Sequence, residues 1–81
     1  MSYQITFSDL AWKQLSRLPN DAHKRIIATL ERCKIRPYPH VKRLAGSRYF
    51  RLRVGDYRVI MDIIGDKLII HVIEVGHRKG I

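Results

Sequence analysis

Hydrophobic and polar positions alternate at the start of the chain and then recur at helical spacing. In YQITF, residues 3–7, apolar and polar side chains alternate, which predicts a half-buried strand. Ser8 is suited to cap a helix that follows this strand. Ala11 and Leu15 continue at helical spacing, and Pro19 ends the run. The pattern predicts a strand followed by a short first helix.

A second stretch of helical spacing follows Pro19. Asn20 or Asp21 is suited to cap its start. Its apolar stripe consists of His23, Ile26, Ile27, Leu30 and Cys33. Residues 36–47 are rich in proline, glycine and basic side chains, and they predict a loop. The two helices are therefore expected to form a hairpin with a short link.

Two glycine–aspartate pairs, at residues 55–56 and 65–66, are each flanked by apolar or β-branched runs. Glycine in the first position of a two-residue loop is typical of a type II′ hairpin turn. Three antiparallel strands in a meander are therefore expected. The predicted fold class is α+β: an N-terminal strand, a helical hairpin and the meander form one sheet, with the helices packed on one face.

Alternation assigns the strand side chains of the meander to two faces. The two turns place Arg53 opposite Arg58, and Met61 opposite Ile70. The core face is expected to carry Phe50, Leu52, Val54, Val59, Met61, Ile63, Leu68, Ile70 and Val72. The other face is expected to carry Tyr49, Arg51, Arg53, Arg58, His71 and His77, with Ile60, Ile69, Ile73 and Val75 between them. Glu74 is expected on the core face.

Length and composition restrict the class of protein. A chain of 81 residues predicts a single domain over residues 1–81. The apolar fraction of 46% is too high for a disordered protein, and no apolar run approaches membrane-spanning length. The start, MSYQITFSDL, lacks the features of a secretory signal, and a single cysteine excludes an internal disulfide. A cytoplasmic protein without a membrane partner is expected.

Charge points to the kind of partner. Sixteen Lys and Arg face seven Asp and Glu, and ten of the sixteen are arginine. This excess favours nucleic acid as the partner. Arg53 and Arg58, directly opposed, would destabilise the sheet. Asp62 shares their face but lies about 13 Å from Arg58 by strand rise. An external anion would relieve the repulsion.

The order of elements and three sequence motifs resemble the RelE/ParE toxin superfamily. The motifs are YFRLR at residues 49–53, GDYR at residues 55–58 and VGHRK at residues 75–79. The resemblance covers nearly the whole chain. It implies a small basic toxin of a type II toxin–antitoxin system, neutralised by a cognate antitoxin in a hetero-oligomer. RelE-like members cleave mRNA in the ribosomal A site, whereas ParE-like members inhibit DNA gyrase.

The resemblance also implies roles for three arginines. Arg51 matches a basic residue of the second strand, Arg58 the arginine of the third strand, and Arg78 the closing arginine of the fourth. Tyr49 stands where some members have a lysine. The chain stops at Ile81, where the family often continues with a tyrosine, so a weakened nuclease is expected.

Metal-independent RNA cleavage uses the neighbouring 2′-hydroxyl as nucleophile and needs charge stabilisation, a base and an acid. Arginine cannot act as a base, so Arg51, Arg58 and Arg78 are expected to clamp the phosphate. His77 is expected to be the base or the acid. Further RNA contacts are expected from Lys42, Arg43, Arg48, Tyr49, Arg53 and Lys79. No metal or other cofactor is expected, because the His and Cys spacings do not form a zinc site.

Three functions stay open at this point. The first is an endoribonuclease toxin that acts on mRNA in the ribosome, and the arginines implied by the resemblance favour it. The second is a ParE-like, non-enzymatic inhibitor of DNA gyrase, favoured by the missing tyrosine and by the absence of lysine at position 49. The third is a simple RNA-binding module.

Overall fold

The computed structural model describes residues 2–77. Along this range the elements are β1 (Gln4–Phe7), α1 (Asp9–Ser16), α2 (Asn20–Cys33), a 3₁₀ turn (Tyr38–His40), β2 (Lys42–Arg43), β3 (Phe50–Val54), β4 (Tyr57–Ile64) and β5 (Ile69–His77). The strands form one sheet in the order β1-β5-β4-β3-β2. β1 pairs with β5 in parallel, and the other pairs are antiparallel. The α+β prediction is confirmed, and the predicted loop contains one short edge strand, β2.

The two helices start in different ways. Ser8 Oγ accepts a hydrogen bond from Ala11 N at 3.0 Å, which confirms Ser8 as the N-cap of α1. The N-cap of α2 is Pro19, which offers no side-chain hydrogen bond, so the prediction of Asn20 or Asp21 as the cap is wrong. Proline fixes its own φ, here at −55°, and the chain therefore enters the helix directly after it.

The helices cover one face of the sheet and enclose the core with it. The buried cluster consists of Ala11, Leu15, Ile26, Leu30, Cys33, Leu52, Val54, Val59, Met61, Ile63, Ile70, Val72 and Val75. Most of the predicted core face is therefore confirmed. None of the helices in the described range is long and apolar enough to span a membrane.

The first hairpin has the predicted register. Arg53 pairs with Arg58, Arg51 with Ile60, and the remaining pairs follow in step. Gly55 has a φ of +59°, the conformation that a type II′ turn requires at its first loop position. The hairpin thus places two arginines directly opposite each other.

The second hairpin differs from the prediction. Met61 pairs with Val72 rather than with Ile70, because the connection between β4 and β5 has four residues instead of two. Leu68 takes the left-handed conformation, with φ of +55°, and Gly65 does not. The Gly-Asp pair therefore begins a longer turn here, and Leu68 belongs to that turn rather than to the core face.

A β-bulge in β5 reverses the faces of the residues that follow it. Met61 pairs with Val72, whereas its neighbour Ile60 pairs with Glu74, so one residue of β5 is extra. A bulge shifts the alternation of side chains by one position. Val75, predicted on the helix-free face, is therefore buried with 1% exposure. Glu74, predicted on the core face, lies on the helix-free face instead.

Side chains at the start of and within α1 hold the bulge. Ser8 Oγ donates a hydrogen bond to the carbonyl oxygen of Ile73 at 2.7 Å. The backbone N–H of Val75 donates to Oε1 of Gln14, also at 2.7 Å. These bonds satisfy the carbonyl oxygen before Glu74 and the N–H group after it. The bulge is consequently anchored to the helix layer.

Candidate functional site

Basic residues of β2, β3 and β4 meet on the sheet face that the helices leave open. Lys42 pairs with Arg51, and Arg53 pairs with Arg58. Paired residues on neighbouring strands point to the same side, with Cβ atoms about 4.5–5.5 Å apart. These four residues are called the arginine face below. They form two adjacent rows of positive charge.

No carboxylate within the described range pairs with this charge. Across residues 2–77 the ion pairs are Lys34 with Glu31 at 3.0 Å and Arg48 with Asp62 at 2.6 Å. Asp62 thus pairs outside the arginine face, as its predicted distance from Arg58 indicated. No ion pair within residues 2–77 therefore relieves the repulsion inside the arginine face.

Arg58 has an additional unsatisfied group. Its Nε atom is buried and has no hydrogen-bond partner among residues 2–77. A buried polar group without a partner costs about 1–3 kcal/mol. An oxyanion bound at Arg58 would supply both a counter-charge and an acceptor, since guanidinium groups bind phosphate through paired N–H bonds.

The bulge decides which residues of β5 lie near Arg58. Glu74 becomes its diagonal neighbour across the sheet, a separation of about 7–8 Å between such positions. His71 lies on the same side of the sheet, as predicted, but opposite Asp62 rather than Ile60. Its Nδ1 atom is 2.7 Å from Thr6 Oγ1, which ties it towards β1.

His77 does not lie on the arginine face, so that prediction is wrong. It pairs with Tyr57, and the two rings meet edge to face with centroids 5.5 Å apart. Tyr57 packs against the core, so His77 lies on the helix side of the sheet. The bulge at Ile73 moves His77 to the opposite side of the sheet from the one predicted. Arg78 and Lys79 lie outside the residues that the structure describes.

A different histidine lies beside the arginines. A groove of about 400 Å³ is lined by Pro39, His40, Val41, Lys42, Arg51 and Arg53. His40 ends the 3₁₀ turn, whose N-cap is Pro37, and β2 begins two residues later at Lys42. The sequence pattern predicted a loop for this segment, and His40 was not among the predicted site residues. The sequence offered one signal: two prolines precede His40, and two basic residues follow it after Val41. This stretch shows neither strand nor helix periodicity.

The other predicted RNA contacts have internal partners. Arg48 donates to Asp62, and this hydrogen bond raises the pKa of Arg48 above its ordinary value. The Arg48 guanidinium also lies 5.7 Å from the ring centre of Tyr49. Arg43 Nε donates to the carbonyl oxygen of Ser47 at 3.0 Å. Arg43, Arg48 and Tyr49 are all exposed, so they stay accessible to a partner.

Within residues 2–77, His, Cys, Asp and Glu side chains form no cluster that could hold a metal ion. Cys33 is buried in the core, and burial raises the pKa of its thiol. A raised pKa keeps the thiol protonated and unreactive.

The structure defines a small basic α+β protein whose open sheet face carries four paired basic residues. Over residues 5–81 the chain matches the family model of the ParE toxin of type II toxin-antitoxin system, parDE, and it belongs to that family. Toxin RelE3 of Methanocaldococcus jannaschii is 31% identical over 84 residues, covering 96% of this chain and 93% of that protein. The predicted membership of the RelE/ParE superfamily is confirmed, and the chain is a toxin of the type II class.

Solved structures share the fold over nearly the full chain. The toxin in the archaeal RelE–RelB complex from Pyrococcus horikoshii OT3 superimposes with a TM-score of 0.85 at 25% identity, with 100% of both chains covered. A chain of the toxin–antitoxin complex RelBE2 from Mycobacterium tuberculosis gives a TM-score of 0.86 at 22% identity, covering 96% of this chain and 100% of that one. The second likeness supports the fold alone.

Proposed function

We propose that this protein is an endoribonuclease that cleaves mRNA on the ribosome and so inhibits translation. The observation that carries the proposal is the pair Arg53 and Arg58, directly opposed without a carboxylate partner in residues 2–77. A fold that retains such repulsion is suited to a polyanion. An RNA phosphate supplies the missing charge, and its transition state carries more negative charge than its ground state.

The scissile phosphate lies on the arginine face. Arg51 and Arg58 hold its non-bridging oxygens. Because charge develops on these oxygens during 2′-hydroxyl attack, the guanidinium groups bind the transition state more tightly than the substrate. The nucleophile is the 2′-hydroxyl of the RNA itself. By the resemblance, the ribosome aligns the mRNA for in-line attack and Arg78 adds a further clamp.

Proton transfer falls to His40 in this proposal. His40 lines the same groove as Arg51 and Arg53, whereas His77 lies on the other side of the sheet. Imidazole changes its protonation near neutral pH, as a general base requires. We assign His40 the removal of the proton from the 2′-hydroxyl. The 2′-oxygen then bonds to phosphorus while the bond from phosphorus to the 5′-oxygen breaks, and the leaving 5′-oxygen takes a proton from solvent water. The assignment of His77 to this role is withdrawn.

We further propose that an antitoxin protein neutralises the toxin. The chain's structural relatives include a RelE toxin solved in complex with RelB. An antitoxin segment that carries acidic side chains would match the arginine face in charge and would exclude RNA from it. The complex is then a hetero-oligomer whose formation weakens as salt is raised.

Inhibition of DNA gyrase is the second candidate. Two observations favour it: the matching family model is that of the ParE toxin, and the histidine predicted to act as base is absent from the arginine face. In this case the arginine face binds an acidic surface of gyrase and catalyses no reaction. A non-enzymatic toxin needs neither His40 nor a 2′-hydroxyl.

Mapping of mRNA 5′ ends in a translation extract separates the two candidates. The wild-type protein is expected to produce new 5′ ends within codons on stalled ribosomes, and Arg58→Ala to produce none. Arg17→Ala removes an exposed arginine far from β3 and β4 in sequence, and it is the matched control, expected to cleave normally. A gyrase supercoiling assay runs in parallel. Inhibited supercoiling without new mRNA ends would replace the nuclease proposal with the second candidate.

A further inference from the structure

A second group of arginines lies on the other side of β3, next to α2. A groove of about 390 Å³ is lined there by Arg25, Ala28, Thr29, Arg32, Arg53, Val54 and Gly55. Arg25 and Arg32 are seven residues apart on α2, which places them on one stripe of the helix two turns apart. Neither residue belongs to the site described above.

Arg53 connects this groove to the arginine face. It lines the groove that contains His40 and Arg51, and it also lines the groove beside α2. The short strand β2 pairs only with Phe50 and Arg51, so the edge of β3 is uncovered beyond them. Basic side chains therefore continue from the open sheet face, around the free end of β3, to the helix layer.

Close packing holds Arg25 against the first hairpin. A Cβ atom added at Gly55 would lie 3.2 Å from both Nη1 and Nη2 of Arg25, so the guanidinium group rests directly on the glycine. Thr29 Oγ1 donates to the carbonyl oxygen of Arg25 at 2.7 Å, one turn further along the helix. The Arg25 guanidinium therefore lies against the turn that also aligns Arg53 with Arg58.

These arginines form no ion pair in the described part of the chain. Neither of the ion pairs in residues 2–77 includes Arg25, Arg32 or Arg53. No acid lines the groove, and no aromatic side chain lines it either. Stable protein–protein interfaces centre on buried aromatic or other apolar anchors. A narrow arginine-lined path without such anchors fits a chain of phosphates better than an acidic protein segment.

We propose that the groove beside α2 binds the sugar–phosphate backbone of single-stranded RNA, as the strand leaves the arginine face and passes around the edge of β3. Arg53 contacts the phosphate at the bend, and Arg25 and Arg32 contact the phosphates beyond it. This inference rests on the proposed function, because it extends the path of the same RNA. It gives the toxin a binding surface outside the site of cleavage.

Salt dependence of RNA binding tests the path. The probe is a 2′-O-methyl RNA of about 12 nucleotides, within the usual site sizes of single-strand binders, which lacks the nucleophile and is not cleaved. The double variant Arg25→Gln/Arg32→Gln is compared with Arg17→Gln/Lys24→Gln, which removes the same charge from exposed positions outside the groove. Melting curves confirm that all proteins are folded.

The expected result is a change in the slope of log affinity against log salt. Each lost phosphate contact makes this slope shallower by about 0.7 for single strands, so by about 1.4 for the groove variant. The control pair is expected to keep the wild-type slope, and a trinucleotide probe, too short to leave the arginine face, is expected to give equal slopes for all proteins. Equal slopes with the long RNA would overturn the inference.

Two further arms identify the cause of a failure. If the groove variant weakens binding of a polyglutamate peptide but not of RNA, the groove serves an acidic protein and the inference is wrong. Arg58→Ala is measured beside it for cleavage on ribosomes. One outcome is that Arg58→Ala loses cleavage while the groove variant keeps the wild-type slope of log RNA affinity against log salt. That result would contradict the RNA path beside α2 and leave the proposed function intact. Full cleavage by Arg58→Ala would contradict the proposed function itself.

Discussion

Arg53 and Arg58 face each other across the first hairpin of the sheet, and neither forms an ion pair with a carboxylate in residues 2–77. Like charges in directly opposed positions destabilise a sheet by roughly 0.2–1 kcal/mol. The short type II′ turn at Gly55 gives the pair little freedom to avoid this register. The arrangement lowers the stability of the free protein, and an anion bound between the two guanidinium groups would offset that cost.

Removal of one arginine is expected to stabilise the free protein. Arg53 is the residue to change, because it is exposed, whereas the stem of Arg58 is half-buried and contributes packing. Arg53→Gln should raise the free energy of unfolding by roughly 0.2–1 kcal/mol at low salt. Urea unfolding at low and high salt measures it, and the gain should shrink as salt screens the repulsion. Arg17→Gln is the control, and an equal gain there would show that net charge alone is responsible.

The bulge in β5 is expected to depend on Gln14. Its Oε1 atom accepts the hydrogen bond of the Val75 N–H, which lies at a residue that is 1% exposed. Gln14→Leu leaves that buried donor without a partner, so the free energy of unfolding should fall by about 1–3 kcal/mol. Gln4→Leu changes an exposed glutamine of β1 and serves as the control. Equal stability of Gln14→Leu and the wild-type protein would mean that the bulge forms without this bond.

Gly55 is expected to tolerate alanine less well than Gly46. Both glycines have positive φ, +59° and +70°, so alanine pays about 1–2 kcal/mol at either position for the left-handed conformation. At Gly55 the new methyl group also meets the Arg25 guanidinium, whereas at Gly46 nothing lies within 4 Å. Thermal unfolding of both variants gives the comparison. A larger loss in Gly46→Ala would contradict the contact between Arg25 and the turn.

The sequence predicts those parts of the fold that depend on local signals. The Ser8 cap, the helical stripes and the register of the first hairpin follow from residue type and spacing, and the structure confirms them. The second hairpin has the same Gly-Asp pair, yet Leu68 rather than Gly65 takes the positive φ. Local sequence does not distinguish the two turns, because the choice depends on how β4 and β5 pair over their whole length.

The site is predictable where it lies on regular strands. Arg51, Arg53 and Arg58 share one face, as alternation indicates. The positions after the bulge were misassigned, because the bulge depends on bonds to Ser8 and Gln14, far away in the sequence. His40 was missed for a related reason: its place beside the arginines is set by the pairing of β2 with β3, and a two-residue strand leaves no periodic signal.

The two histidines are expected to differ in their effect on cleavage. His40→Gln removes the proposed base from the groove, and general acid–base catalysis contributes about 10²–10⁴-fold, so single-turnover cleavage should fall by about that factor. His77→Gln changes a residue on the other side of the sheet and should retain the wild-type rate. The reverse result would return the role of base to His77.

Single-turnover cleavage of mRNA on purified ribosomes tests the central claim most directly. Wild-type protein, Arg58→Lys and Arg58→Ala are compared with RNA in the ribosomal A site and with the same RNA free in solution. Loss of a preorganised donor to the transition state lowers rates by about 10²–10³-fold, which is the fall expected for Arg58→Ala. Arg58→Lys keeps the positive charge but loses the planar guanidinium, so its cleavage rate should lie between those of the wild-type protein and Arg58→Ala. Equal rates for all three proteins, or no cleavage by the wild-type protein on ribosomes, would contradict the assignment of the arginine face as a nuclease site.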